Sequence, residues 1–167
     1  AHKLSEKALV IDADGLFWLG QYVAEKRVST NAARWVLTPH PGEAARLLQV
    51  ATTQVQGDRI KAAKDLQAKF QGVVVLKGAG SLVCDQQQRL YLATVGNPGM
   101  ATGGMGDVLS GIIGGLLAQG HSLPAAACSG VWLHGAAADQ AADQGERGLL
   151  ATDLFLPLRR LVNPMQK

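Results

Sequence analysis

The run Gly72-Val-Val-Val-Leu76 constrains the fold more than any other segment of the chain. Its apolar residues follow one another without polar alternation, so a strand made of them must be covered on both faces. Strands of that kind belong to parallel sheets flanked by helices. Ala8-Leu-Val-Ile-Asp12 and Arg34-Trp-Val-Leu-Thr38 read the same way. Helical patterns alternate with these runs. One covers about Leu16 to Ala24. A second runs from Pro41 to about Val50, with Pro41 in the first turn and Glu43 at the positive helix start. A third spans Asp58 to Phe70 and places Ile60, Ala63, Leu66 and Phe70 on an apolar face. Ser81 to Cys84 and Arg89 to Ala93 read as a hairpin around Asp85-Gln-Gln-Gln88. Helices then occupy about Gly104 to Gln119, Pro124 to Asp143 and Thr152 to Val162, the last capped by Thr152. This order predicts an α/β fold with a mostly parallel sheet and right-handed crossovers in one domain over residues 1–167. Aromatics make up only 5% of the chain, so the core must rest on Val, Ile, Leu and Ala.

Charge narrows the partners. The net charge is +3, and Arg34, Arg46, Arg59, Lys61, Lys64 and Lys69 are scattered without interleaved aromatics. That pattern argues against nucleic acid and suits a small anionic ligand. The two cysteines, Cys84 and Cys128, read as core residues of a protein in a reducing compartment. No His/Cys spacing matches a zinc site, and no run is apolar and long enough to span a membrane. The expectation is a cytoplasmic protein.

Eight of the twenty glycines lie between Gly96 and Gly115, and the apolar helix face of Val108, Leu109, Ile112 and Ile113 begins among them. Glycines ahead of a helix let backbone N–H groups converge on an anion, and the helix start adds positive charge. The expected anion hole comprises Asn97, Gly103, Gly104 and Gly106. Asp107 stands beside it. A carboxylate there repels phosphate in the ground state, so a site that only binds has no use for it. A site that transfers phosphate to a hydroxyl does, because Asp107 can take the hydroxyl proton or orient the acceptor. The plainer alternative is that Asp107 stabilises the helix start.

Lys77-Gly-Ala-Gly-Ser81 ends the central strand, where ligand crevices of open α/β sheets lie. Lys77 can meet a phosphate there, or be the solvated lysine of an ordinary turn. His40 can contact substrate or serve the loop. Glu43 can hold a hydrated Mg²⁺ near phosphates. Asp14 is the expected cap of the first helix, with Asp12 the residue available to the crevice. All these segments should share one edge of the sheet.

Thr38-Pro-His-Pro-Gly-Glu43, Lys77-Gly-Ala-Gly-Ser81 and Asn97-Pro-Gly-Met-Ala-Thr-Gly-Gly-Met-Gly-Asp107, in that order, resemble the ADP-dependent NAD(P)H-hydrate dehydratases of the ribokinase-like superfamily. The resemblance runs from Asp12-Ala-Asp14 to Ala151-Thr-Asp-Leu154. It implies a repair reaction in which ADP, or ATP in some members, drives removal of water from hydrated NADH or NADPH. A phosphorylated hydroxyl leaves far more readily than hydroxide. Carried over by position, His40 and Asp107 meet the hydrated nucleotide, with Asp107 catalytic. Lys77, Gly78, Ala79, Gly80, Ser81 and Gly106 bind the adenine nucleotide. His40 to Glu43 resembles the Asn-x-x-Glu magnesium motif of ribokinase-like kinases, with His in place of Asn. Gly15 and Ser81 depart mildly from the family pattern. Family domains begin well before the first strand of this chain and commonly follow an epimerase domain. The resemblance therefore implies a partial domain that associates with itself or with an upstream half, as a homo-oligomer or a fusion. A vitamin-precursor kinase is the second reading, disfavoured by His40. A nucleotide-binding module without catalysis is the third.

Overall fold

In the computed structural model, which describes residues 7–30 and 34–163, three short strands pair in parallel. They are β1 (Leu9–Ile11), β2 (Trp35–Leu37) and β3 (Val73–Leu76). Leu9 lies opposite Trp35, Val36 opposite Val73 and Leu37 opposite Val74. The hairpin β4 (Leu82–Cys84) and β5 (Leu90–Leu92) extends the sheet antiparallel, in the order β1-β2-β3-β4-β5. The buried Asp85 carboxylate closes its turn. It accepts from the Gln87 and Arg89 amides, both at 2.9 Å, and from Arg89 Nε at 2.7 Å.

Period-two alternation sorts the strand residues between two helical layers. Trp35, Leu37, Val74 and Leu76 face α1 (Ala13–Ala24), α2 (Pro41–Leu48), α3 (Thr52–Gly57) and α4 (Arg59–Phe70). Val36, Val73, Val75 and Val83 face α5 (Met105–Ala118) and α6 (Leu123–Ala141). Phe70, Leu66 and Ile113 are fully buried, each worth about 1.5–3 kcal/mol against exposure. A third cluster packs Met105 of α5 against Ala137 and Ala138 of α6 and Leu154, ahead of α7 (Phe155–Leu161).

Several expectations are corrected. Asp12, not Asp14, caps α1, because the strand stops at Ile11 and leaves Asp12 extended with its carboxylate on the Ala13 amide. Ile60 is 55% exposed: it lies in the first turn of α4, outside the packed stretch of Ala62, Ala63, Leu66 and Phe70. Thr152 caps nothing. A 3-10 turn, Ala151–Leu154, precedes α7, and Asp153 reaches back to the Leu150 amide at 2.8 Å. The short α3 is an addition, its polar Thr52-Thr-Gln sequence carrying only Val55 into the core.

Candidate active site

The parallel strands end on one edge, and the segments that follow them build the site: Asp12 and Lys77 come directly after β1 and β3, and His40 and Glu43 come at the start of α2 after β2. Lys77 follows β3 directly. Its ammonium donates to both Asp12 oxygens, at 2.8 and 3.1 Å, and lies 3.9 Å from the Glu43 carboxylate. Lys77 is therefore not the solvated lysine of an ordinary turn. Ser110, in the second turn of α5, donates to Asp12 Oδ2 at 2.9 Å. A Cβ on Gly106 would stand 3.2 Å from Lys77 Nζ and 3.6 Å from Asp12 Oδ2. The glycine lets the lysine ammonium lie against the first turn of α5. Residues from three strand ends and the glycine-rich helix thus meet around one ammonium, on the shared edge the sequence predicted.

Electrostatics follow from this packing. Burial pushes the Asp12 carboxyl up, but the Lys77 hydrogen bond and charge, the Ala13 amide and the Ser110 hydroxyl outweigh it. The net effect holds Asp12 below the ordinary aspartate value. On α6, His134 is buried with Nε2 unpaired among the described residues. Burial takes its pKa down to about 4, the Lys77 charge lowering it further while the Met105 backbone opposes. It is a neutral imidazole behind the start of α5.

Gly104, with φ of +84°, caps α5 in the left-handed conformation that glycine tolerates, and it supplies no side chain to the free N–H groups of the first turn. Those groups remain available to an anion. A Cβ on Gly103 would meet nothing within 4 Å, so the approach is open. Asp107 occupies the first turn, exposed. The Asn97 side chain is bonded within the protein. Its Oδ1 accepts from the Gly99 amide at 3.1 Å, and its Nδ2 donates to Asp139 at 3.0 Å, while Asp139 also accepts from the Gly96 amide at 2.9 Å. The Asn97 side chain holds the loop to α6.

His40 and Glu43 form a capping box. His40 Nδ1 accepts from the Gly42 and Glu43 amides at 3.0 and 3.3 Å, and Glu43 Oε2 accepts from the His40 amide at 2.7 Å. Accepting at Nδ1 puts the ring hydrogen on Nε2, which lies 3.6 Å from Glu43 Oε1, on a side chain that is more than half exposed. Glu43 is thus shared between the cap and Lys77. Among the described residues no three His, Cys, Asp or Glu side chains gather as a metal site. The donor set suits a magnesium ion carried on phosphates and reached by Glu43 through water, and does not suit a cage of protein ligands.

The residues Gly78 to Ser81 form a turn after Lys77, exposed at Gly78 and Ala79 and half-buried at Gly80 and Ser81, tied by Ser81 Oγ donating to the Gly78 carbonyl at 3.3 Å. Sequence reasoning missed Ser110, Arg59, Asp139 and His134. Ser110 was within reach, since it lies one helical turn beyond Gly106 on the same face. The others are recognisable only through contacts distant in sequence.

A family model for NAD(P)H-hydrate dehydratase matches residues 2–160. The chain belongs to the NAD(P)H-hydrate dehydratase family. It is 58% identical over 156 residues to the bifunctional NAD(P)H-hydrate repair enzyme of Coxiella burnetii, covering 93% of this chain and 31% of that protein. It is 44% identical to the ADP-dependent (S)-NAD(P)H-hydrate dehydratase of Neisseria meningitidis serogroup B, covering 98% of this chain and 56% of that protein. Among solved structures, the Bacillus subtilis ADP/ATP-dependent NAD(P)H-hydrate dehydratase co-crystallised with ATP/Mg²⁺ and soaked with CoA superposes with a TM-score of 0.80 at 34% identity. That match covers 92% of this chain and 55% of the Bacillus one. The fold is the ribokinase-like α/β architecture. The chain spans between about a third and just over half the length of these relatives. No described helix is long and apolar enough to cross a membrane.

Proposed function

We propose that the protein of this chain returns (S)-NAD(P)H hydrate to NAD(P)H at the expense of an adenine nucleotide. The observation that carries this reading is the meeting of Lys77, Gly106 and the open helix start beside Asp107, in a family whose relatives are named for that reaction. In this reading Lys77 and the Gly78 to Ser81 turn hold the nucleotide phosphates, and the amides at Gly104 to Gly106 receive the charge of the transferring phosphoryl group. Asp107 takes the proton of the hydrate hydroxyl as that oxygen attacks the terminal phosphorus of ADP, releasing AMP. Phosphate then leaves with the electrons of the carbon–oxygen bond. Loss of a proton from the neighbouring ring carbon restores the double bond. His40, with Nε2–H turned outward, donates to the hydrated nucleotide. Magnesium, when bound, screens phosphate charge, with Glu43 reaching its water shell.

The test is recovery of NADH absorbance from its hydrate with ADP and Mg²⁺, using the full-length protein. Absence of recovery from folded protein would refute the proposal. The supply of the S form calls for an epimerase, in keeping with a relative named as bifunctional. Among the described residues no strand pairs the outer side of β1, and Leu9, Phe17 and Trp18 are exposed, which supports association across that edge. A stable, monodisperse monomer in sedimentation velocity would count against it.

A further inference from the structure

The Lys77 to Ser81 turn is held from below by a residue that the family motifs do not include. Arg59, the first residue of α4, donates through NH1 to the Ala79 carbonyl and through NH2 to the Leu76 carbonyl, the latter at 3.3 Å. The fit is close, since a Cβ on Gly78 would stand 3.0 Å from NH2, and Gly78 adopts φ of +147°. Among the described residues no carboxylate lies within ion-pair distance of this guanidinium, and its Nε is buried without a partner. An arginine spent on two carbonyls, with no counter-ion, is an uncommon use of a cation whose fork matches carboxylates and phosphates.

The peptide geometry says what this use accomplishes. The Ala79–Gly80 peptide is trans, so its carbonyl and its N–H point in opposite directions. Drawing the Ala79 carbonyl onto Arg59 turns the Gly80 amide away from it. Among the described residues that amide donates to no protein acceptor. Gly80 has φ of +63°, a conformation open to glycine, and together with Gly78 it lets the turn present the donor without a side chain over it.

We propose that Arg59 is a positioning residue for the adenine nucleotide: it fixes the turn so that the Gly80 amide donates to a nucleotide oxygen, and its uncompensated charge favours the anion. The inference rests on the nucleotide role of the turn proposed above. The experiment is calorimetric titration of the full-length protein with ADP, for the wild type, Arg59→Lys and Arg59→Ala. Lysine keeps the charge and the helix start but cannot bridge two carbonyls as a fork. The expected result is a loss of about tenfold or more in ADP affinity for Arg59→Lys and a larger loss for Arg59→Ala, recovered in part by added guanidinium ion. In turnover the loss falls mainly on the nucleotide KM and less on kcat. ADP affinity within twofold of the wild type in folded Arg59→Lys overturns the proposal. A wild type that binds no ADP overturns the nucleotide reading itself, and this inference with it.

Discussion

Replacing Asp12 by Asn removes one charge from the centre of the site and little else. Asn caps a helix about as well as Asp, so the bond from the Ala13 amide survives. Its one carbonyl oxygen keeps that bond, and its amide nitrogen, standing where Oδ2 was, can donate to the Ser110 hydroxyl oxygen. What is lost is the pair with Lys77, whose side chain is 19% exposed against 15% for Asp12. Neither group is solvated enough to dismiss the interaction as a surface pair. A hydrogen bond between charged groups is worth about 1.5–3 kcal/mol. The Asn variant should therefore lose about 2 kcal/mol at pH 7, which for a chain of this size lowers Tm by about 4–8 °C. The pH dependence identifies the cause. Asp12 titrates below its unfolded value, so its contribution is fully present above the unfolded pKa of about 4 and is lost as pH falls through the lower folded pKa. The Tm gap between wild type and variant, followed by circular dichroism from pH 7 downward, should narrow below about pH 4. A gap of the same size at pH 3 and pH 7 would refute the ion-pair account and make Asp12 a residue of shape alone.

Three other outcomes follow from the same geometry. Asp107→Asn should cut hydrate turnover by about 10²-fold or more while ADP binding, measured by calorimetry, changes little; an equal collapse of binding would make Asp107 structural. Gly135→Ala would bring a methyl to 2.6 Å from the Val95 side chain and 3.0 Å from its backbone. It should cost about 1–3 kcal/mol in chemical denaturation and loosen the Gly96 loop that Val95 leads into. The Cys84 thiol is buried and raised to about 11 by that burial, with Asp85 adding to the effect. A thiol reagent should leave it untouched at pH 7.5 in native protein and label it on unfolding.

Much of the architecture was readable because the strands are too apolar to be anything else. Val73 to Leu76 could only be a buried strand, and the glycines before Val108 could only introduce a helix. The same patterns gave the shared edge, since parallel strands carry their ligands at one end. The capping roles were harder. Asp12 and Asp14 are chemically alike, and only the length of β1 decided which of them met the first helical amide. His40 shows the opposite difficulty. Its loop position invited a ligand role, yet its Nδ1 is occupied by the α2 cap and only Nε2 is left to face outward. Asn97 matched the anion hole by position, but Asp139, from a helix 42 residues further on, claims its amide. Arg59 looked like one surface cation among several until the turn after Lys77 folded over it.

The Asp12 junction also dictates when the site can come into being. Its carboxylate is bonded to a lysine 65 residues away and a serine 98 residues away. On the ribosome, the first strands and α1 to α4 emerge well before the glycine-rich helix. In that interval Lys77 can already meet Asp12, while the amides that would receive a phosphate have not yet been made. Nucleotide can therefore engage its whole site only after α5 has been synthesised and has docked, so the full stabilising effect of ligand on folding in the cell arrives late, as a lock on a sheet already formed.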